Sequence, residues 1–136
     1  MQEPGFDDSM IKVPFDRVWS ASVGLEVFEA GDDAIGGTLA VTEAVCQPMG
    51  LVHGGIYASI AESITSMATW FAVAPEGRSA QGLSNQTSFL RPLLGGTIHA
   101  TARRRHRGRT TWVWEVEITD DAGRLCSLVR TTLAVR

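Results

Sequence analysis

Lysine is nearly absent from this chain. Of twelve basic residues eleven are arginine, and Lys12 stands alone. Arginine is the better bidentate ligand for phosphate, yet the net charge is −3 over 136 residues. An acidic protein has no bulk attraction to nucleic acid, which disfavours a general nucleic-acid role. Cysteine is scarce as well. Cys46 and Cys126 are the only two, with no Cys-x-x-Cys or Cys/His ligand spacing. That disfavours zinc and favours two reduced core thiols over a disulfide. No metal and no redox cofactor is expected. No apolar run approaches the ~20 residues needed to span a membrane. Met1-Gln2-Glu3-Pro4-Gly5 lacks the basic-then-apolar order of a secretory leader. The expectation is a soluble cytoplasmic protein.

Hydrophobic residues make up 44% of the chain, enough for one packed core, and residues 1–136 read as a single domain. Residues 1–10 form a loose polar start, and Pro14 to Ser20 suits a short helix. Gly24 to Glu29 and Ala34 to Thr42 read as a hairpin around Gly31-Asp32-Asp33, followed by a loop from Glu43 to Val52. From Gly54 to Phe71 the spacing is helical, with Ile56, Ile60, Ile64, Met67 and Phe71 on one stripe. Ser59, Glu62 and Ser66 form a second, small and polar stripe roughly opposite. Ala74-Pro75-Glu76-Gly77 ends the helix. Four strands follow: Ser79–Leu90, Thr97–Arg105, Thr110–Thr119 and Arg124–Val135. In the third, Trp112, Trp114, Val116 and Ile118 alternate with Glu115 and Glu117. The fold class is α+β: a curved antiparallel sheet of six strands around one long helix. The helix needs only one stripe to pack on the sheet, so the other faces something else, most simply a partner subunit.

The chemistry gathers at that helix. Gly54 and Gly55 open it, and free N–H groups at a helix start bind developing negative charge. The pair serves a tight turn, a close backbone approach to ligand, or both. Glu62 sits inside the helix, where a carboxylate is costly unless paired or functional. The plain alternative is an exposed Glu on an amphipathic surface. Its neighbours Ala58, Ser59, Ala61, Ser63 and Ser66 are small, which leaves room for a ligand or a second helix. Gly54 and Glu62 are eight residues apart, or ~12 Å along a helix, too far to meet at one carbonyl within one subunit. If both act on one carbonyl they come from two chains, in a two-fold dimer with antiparallel helices. His53 is a base candidate without a Ser, Cys or Asp partner pattern, and equally a loop hydrogen-bonder. Gln47 polarises a carbonyl or caps the loop. Arg103 to Arg109 reads as a basic turn, either solvated or a docking patch for a phosphorylated ligand. Arg91 is a second phosphate candidate. Trp112, Trp114 and His99 look structural.

Gln47-Pro48-Met49-Gly50-Leu51-Val52-His53-Gly54-Gly55 followed by Ala61-Glu62-Ser63 resembles the hotdog-fold acyl-CoA thioesterases. It is most similar to the branch whose catalytic carboxylate is a Glu of the central helix. That branch includes one class of 4-hydroxybenzoyl-CoA thioesterases, phenylacetate-pathway thioesterases and 1,4-dihydroxy-2-naphthoyl-CoA hydrolases. The similarity continues through Ser84 to Pro92, Thr110 to Trp114 and Asp120 to Cys126.

The resemblance implies roles. Glu62 matches the nucleophile or general base, and Gly54 the backbone donor that polarises the thioester carbonyl, with Gly55 beside it at the substrate. Gln47 and His53 match supporting positions, and Ser66 a residue that aligns the carboxylate or water. Arg91 matches a CoA-phosphate contact, and Thr110 and Thr111 fall in the nucleotide-contacting segment. Arg109 departs from the pattern, which has a small residue there; it strengthens phosphate binding or alters the path of the CoA tail. The implied assembly is a homodimer with shared sites, usually a homotetramer. The Thr110–Trp114 segment favours a 4-hydroxybenzoyl-CoA-like substrate over 1,4-dihydroxy-2-naphthoyl-CoA. A non-catalytic acyl-CoA-binding protein is the alternative from another class, and no membrane partner is expected.

Overall fold

The computed structural model describes Ser9 and residues 11–136. Apart from Ser9, the polar start expected over residues 1–10 lies outside the described residues. The elements follow the expected order. A short helix α1 (Trp19–Ser22) precedes the hairpin β1 (Glu26–Glu29) and β2 (Ala34–Ala40). The long helix α2 (Gly54–Val73) comes next, and then β3 (Ala80–Phe89), β4 (Thr97–Arg107), β5 (Thr111–Thr119) and β6 (Leu125–Val135). The six strands form one sheet in the order β1-β2-β4-β5-β6-β3, every neighbouring pair antiparallel. The helix expected over Pro14–Ser20 is two pieces, a 3-10 turn at Phe15–Arg17 and then α1, because Val18 between them is extended.

β5 alternates as expected: Trp112, Trp114, Val116 and Ile118 are all buried beneath α2. The buried face of α2 differs from the expected stripe. Ile60 and Ile64 are fully buried, but Ile56, Met67 and Phe71 are only half-buried. The inward face continues instead through Tyr57, Ala61, Thr65, Thr69 and Val73. Its two threonine hydroxyls are satisfied within the helix and across to the sheet. Thr65 and Thr69 donate to the carbonyls of Ala61 and Thr65, each at 2.7 Å. Thr131 donates to Thr65 Oγ1, and Trp114 Nε1 to Thr69 Oγ1, each at 2.9 Å. A buried hydroxyl with its partners in place carries little desolvation cost.

The basic run is also rearranged. β4 extends to Arg107, with an irregularity in its pairing between Arg104 and His106, so most of the arginines lie on a strand and only Arg109 in the turn. Arg104 pairs with Asp33 and lies over Trp112 and Trp114, 4.8 and 5.8 Å from their centroids. Arg107 stacks on Trp112 at 4.9 Å, and Arg105 faces Glu115 at 3.9 Å. Part of the positive charge is therefore spent on the sheet itself. Cys46 and Cys126 are free thiols. No described helix is long and apolar enough to cross a membrane.

Candidate active site

A compact loop delivers the chain to the start of α2. Gln47 N–H donates to Leu51 O at 2.8 Å, Gly50 N–H to Gln47 O at 2.9 Å, and Cys46 bridges Val52. The Gln47 side-chain oxygen accepts from Met49 N–H, which leaves its amide nitrogen as the outward donor. Val52 N–H then ties to Leu93 O, at 2.9 Å.

The amides at the helix start can be followed one by one. His53 N–H donates to Val45 O, and Ile56 N–H to His53 O, each at 2.9 Å. Gly55 N–H donates to His53 Nδ1 at 2.9 Å. Gly54 N–H has no acceptor among the described residues, and the helix cannot supply one. His53 is thus the helix cap. Its Nδ1 is an acceptor, which puts the proton of the neutral ring on Nε2. Gly55, whose amide is taken by His53, has none left for a substrate. A β-carbon at Gly54 would stand 2.6 Å from the Phe89 ring, so only glycine lets that ring lie across the helix start.

Gly54 opens into a cleft of about 440 Å³, lined by Gln47, Leu51, Tyr57, Phe89, Leu90 and Arg91 among others. Tyr57 is 3% exposed, and burial, followed by the neighbouring Cys126 and Cys46, pushes its phenol up to about 12. Burial likewise raises the Cys126 thiol, so neither group is an ionised nucleophile at neutral pH.

Glu62 opens into a different cleft, about 710 Å³, lined by Trp19, Ala58, Ser59, Ser63, Asn85 and Thr87. No lining residue is common to the two clefts. Ser66 Oγ donates to Glu62 Oε1 at 3.2 Å, one helical turn on. The carboxylate lies against the backbone of β3 at Gly82, where any side chain would overlap it. The pairing of β3 with β6 shifts register between Gly82 and Ser84; such irregularities often sit beside sites. Asn85 donates to Ala58 O at 3.0 Å and accepts from Thr87 Oγ1 at 2.7 Å, tying β3 to α2 along the cleft wall.

Of the remaining candidates only one lines either cleft. Arg91 lines the Gly54 cleft. Arg109, Thr110 and Thr111 line neither. Thr111 pairs with Ala134, which pairs with Gln81 on its other side, so this turn lies two strands, about 10 Å, from the strand segment under Glu62. Trp19, Asn85, Thr87, Gly82 and Tyr57 are site neighbours the sequence reading did not single out. Tyr57 is on the helix itself, while the other four reach it from distant parts of the chain; Asn85 and Thr87 fall in the Ser84–Pro92 resemblance, which gave them no role.

Residues 49–127, more than half of the chain, match the family model of the thioesterase superfamily. The protein Rv1847 of Mycobacterium tuberculosis (strain ATCC 25618 / H37Rv) is 40% identical over 117 residues, 85% of this chain and 81% of that one. The proofreading thioesterase EntH of Cronobacter turicensis is 34% identical over 113 residues, 83% of this chain and 82% of its own. The crystal structure of thioesterase HI1161 from Haemophilus influenzae matches with a TM-score of 0.83 at 32% identity, over 88% of this chain and 83% of that one. The molecule is a hotdog-fold hydrolase of thioesters. The chain belongs to the thioesterase superfamily.

Proposed function

We propose that this protein hydrolyses an aromatic acyl-CoA thioester, of the 4-hydroxybenzoyl-CoA kind, at sites shared between two copies of the chain. The observation that carries this reading is the division of labour along α2. An unassigned amide at Gly54 opens into one cleft, and a Ser66-aligned carboxylate at Glu62 opens into another. Eight residues of helix, ~12 Å, keep them apart, so they act on one carbonyl only when one protomer's amide meets its partner's carboxylate. The edge strand β3 borders both clefts, with Thr87 in one and Phe89 in the other. It is paired on one side only, with Leu83 and Phe89 57% and 63% exposed. An unpaired edge carrying exposed apolar side chains is a natural seat for a second copy. A tetramer built from two such dimers follows the family habit.

In this reading the thioester oxygen sits at Gly54 N–H, with the Gln47 amide as a second donor. The Glu62 carboxylate either attacks the carbonyl carbon or takes a proton from water that attacks it. Attack by Glu62 expels the CoA thiolate and leaves a mixed anhydride that water then opens. The amide at the positive helix end stabilises the oxyanion, by ~3 kcal/mol on the scale of such donors. Arg91 from one protomer, with Arg109, Thr110 and Thr111 from the other, holds the phosphates. The chemistry draws on no metal or redox cofactor, and a CoA ester places the protein in the cytoplasm. Trp19 on the Glu62 side, with Tyr57 and Phe89 on the Gly54 side, gives aromatic walls that suit an aryl acyl group.

The test is a turnover panel of aryl, phenylacetyl, naphthoyl and straight-chain CoA esters, run on the wild type and on Glu62→Ala. Aryl esters should lead, and Glu62→Ala should lose nearly all turnover while still folding and binding CoA. Wild-type turnover in that variant refutes the mechanism, and a straight-chain preference refutes the substrate class. Tight binding of every ester with no turnover makes the protein a non-catalytic acyl-CoA binder.

A further inference from the structure

Tyr57 presents an anomaly in the wall of the Gly54 cleft. Its hydroxyl is the one buried side-chain polar atom without a hydrogen-bond partner among the described residues. Neighbouring buried hydroxyls show how readily this fold satisfies such groups: Thr65, Thr69 and Thr131 are all bonded. An unpartnered buried hydroxyl costs stability that phenylalanine would not. Burial holds the phenol at about 12, so at neutral pH it is an uncharged group that can donate and accept.

Tyr57 lies three residues after Gly54, on the same side of α2, and lines the same cleft as Gly54 and Gln47. The rest of that lining is largely apolar: Leu51, Val52, Phe89, Leu90 and Pro92. A group bound with its carbonyl at Gly54 N–H therefore meets an apolar wall, behind which one unsatisfied neutral hydroxyl is closed off. We propose that Tyr57 is a specificity residue: its hydroxyl hydrogen-bonds a hydroxyl substituent on the ring of the acyl group. This rests on the aryl-thioesterase reading above and adds the residue that recognises the ring hydroxyl. The Phe89 ring, tilted at 41° to that of Tyr57 with centroids 6.4 Å apart, is 63% exposed. It is the side chain that turns to admit the substituent. A site built to bond a hydroxyl discriminates against the analogue lacking it, because its own polar group is then left unpaired.

The experiment compares kcat/KM for benzoyl-CoA with that for each of the three monohydroxybenzoyl-CoA isomers, in the wild type and in Tyr57→Phe. The wild type should favour at least one isomer over benzoyl-CoA. Tyr57→Phe should cut that preference about tenfold, the scale of one neutral hydrogen bond, by slowing the favoured isomer more than benzoyl-CoA, and should not lower the melting temperature. An unchanged preference overturns the proposal and assigns the hydroxyl to a bound water. An equal loss on all esters also overturns it, leaving Tyr57 a packing residue. Those two results leave the aryl-thioesterase reading intact, whereas a wild type that hydrolyses none of the four esters sinks both.

Discussion

The carboxylate of Glu62 occupies the space that a side chain at Gly82 would fill. Twenty residues separate the two in sequence, and the contact joins the middle of α2 to the edge strand. A Gly82→Ala variant must push the carboxylate aside. The displaced atoms are the tip of a flexible side chain, so the fold should tolerate the change. Catalysis should not: a carboxylate moved by about 1 Å is expected to lower kcat by about 100-fold. Circular dichroism and steady-state kinetics check the two halves of this prediction.

Ser66 donates to Glu62 and lies one helical turn from it. Ser66→Ala should lower kcat several-fold and leave KM nearly unchanged, since the hydrogen bond orients the carboxylate and holds no part of the substrate. An effect on KM alone would remove Ser66 from the reaction.

His53 caps α2 through Nδ1, and a cap of this kind contributes about 1 kcal/mol. His53→Ala should lower the unfolding free energy by that much and reduce turnover by loosening the Gly54 amide. His53→Asn, which can accept from Gly55 N–H in the same way, should recover both. Had His53 been the base, asparagine would be as inactive as alanine.

The raised phenol of Tyr57 predicts a pH signature. Its folded value of about 12 lies above the ordinary 10.0 of a tyrosine, so the folded state holds this proton more tightly than the unfolded chain. That contribution is fully present below pH 10.0 and is lost as pH rises towards about 12. Urea titrations between those limits should show a steeper loss of stability in the wild type than in Tyr57→Phe.

The fold was largely legible because its strongest signals are local. Trp112, Trp114, Val116 and Ile118 alternate within one strand, and the period of a strand needs no partner to be read. Thr65 and Thr69 show where reading by apolar count stops. Their hydroxyls bond inside the helix and to Thr131 and Trp114, so polar residues occupy the face expected to be apolar. Arg104 and Arg107 likewise belong to a strand because the Trp112 ring lies beneath them, a contact across a hairpin. Gly54 and Glu62 could be picked out by residue type and spacing. Trp19, Gly82, Asn85 and Tyr57 could not, since their roles depend on which strand passes beside α2 and on a hydroxyl left without a partner.

The central claim is that each site takes its amide from one protomer and its acid from the other. Gly54→Pro removes the amide at the first position of the helix, where the backbone tolerates proline, and the exposed Phe89 ring must turn aside for its β-carbon. The preceding His53, at φ −63° and ψ 131°, already has the backbone a residue before proline prefers. Glu62→Ala removes the acid. Each homodimer should be inactive, but a purified heterodimer of the two variants keeps one intact site and should show about half of wild-type turnover. Heterodimers as inactive as their parents would contradict the account.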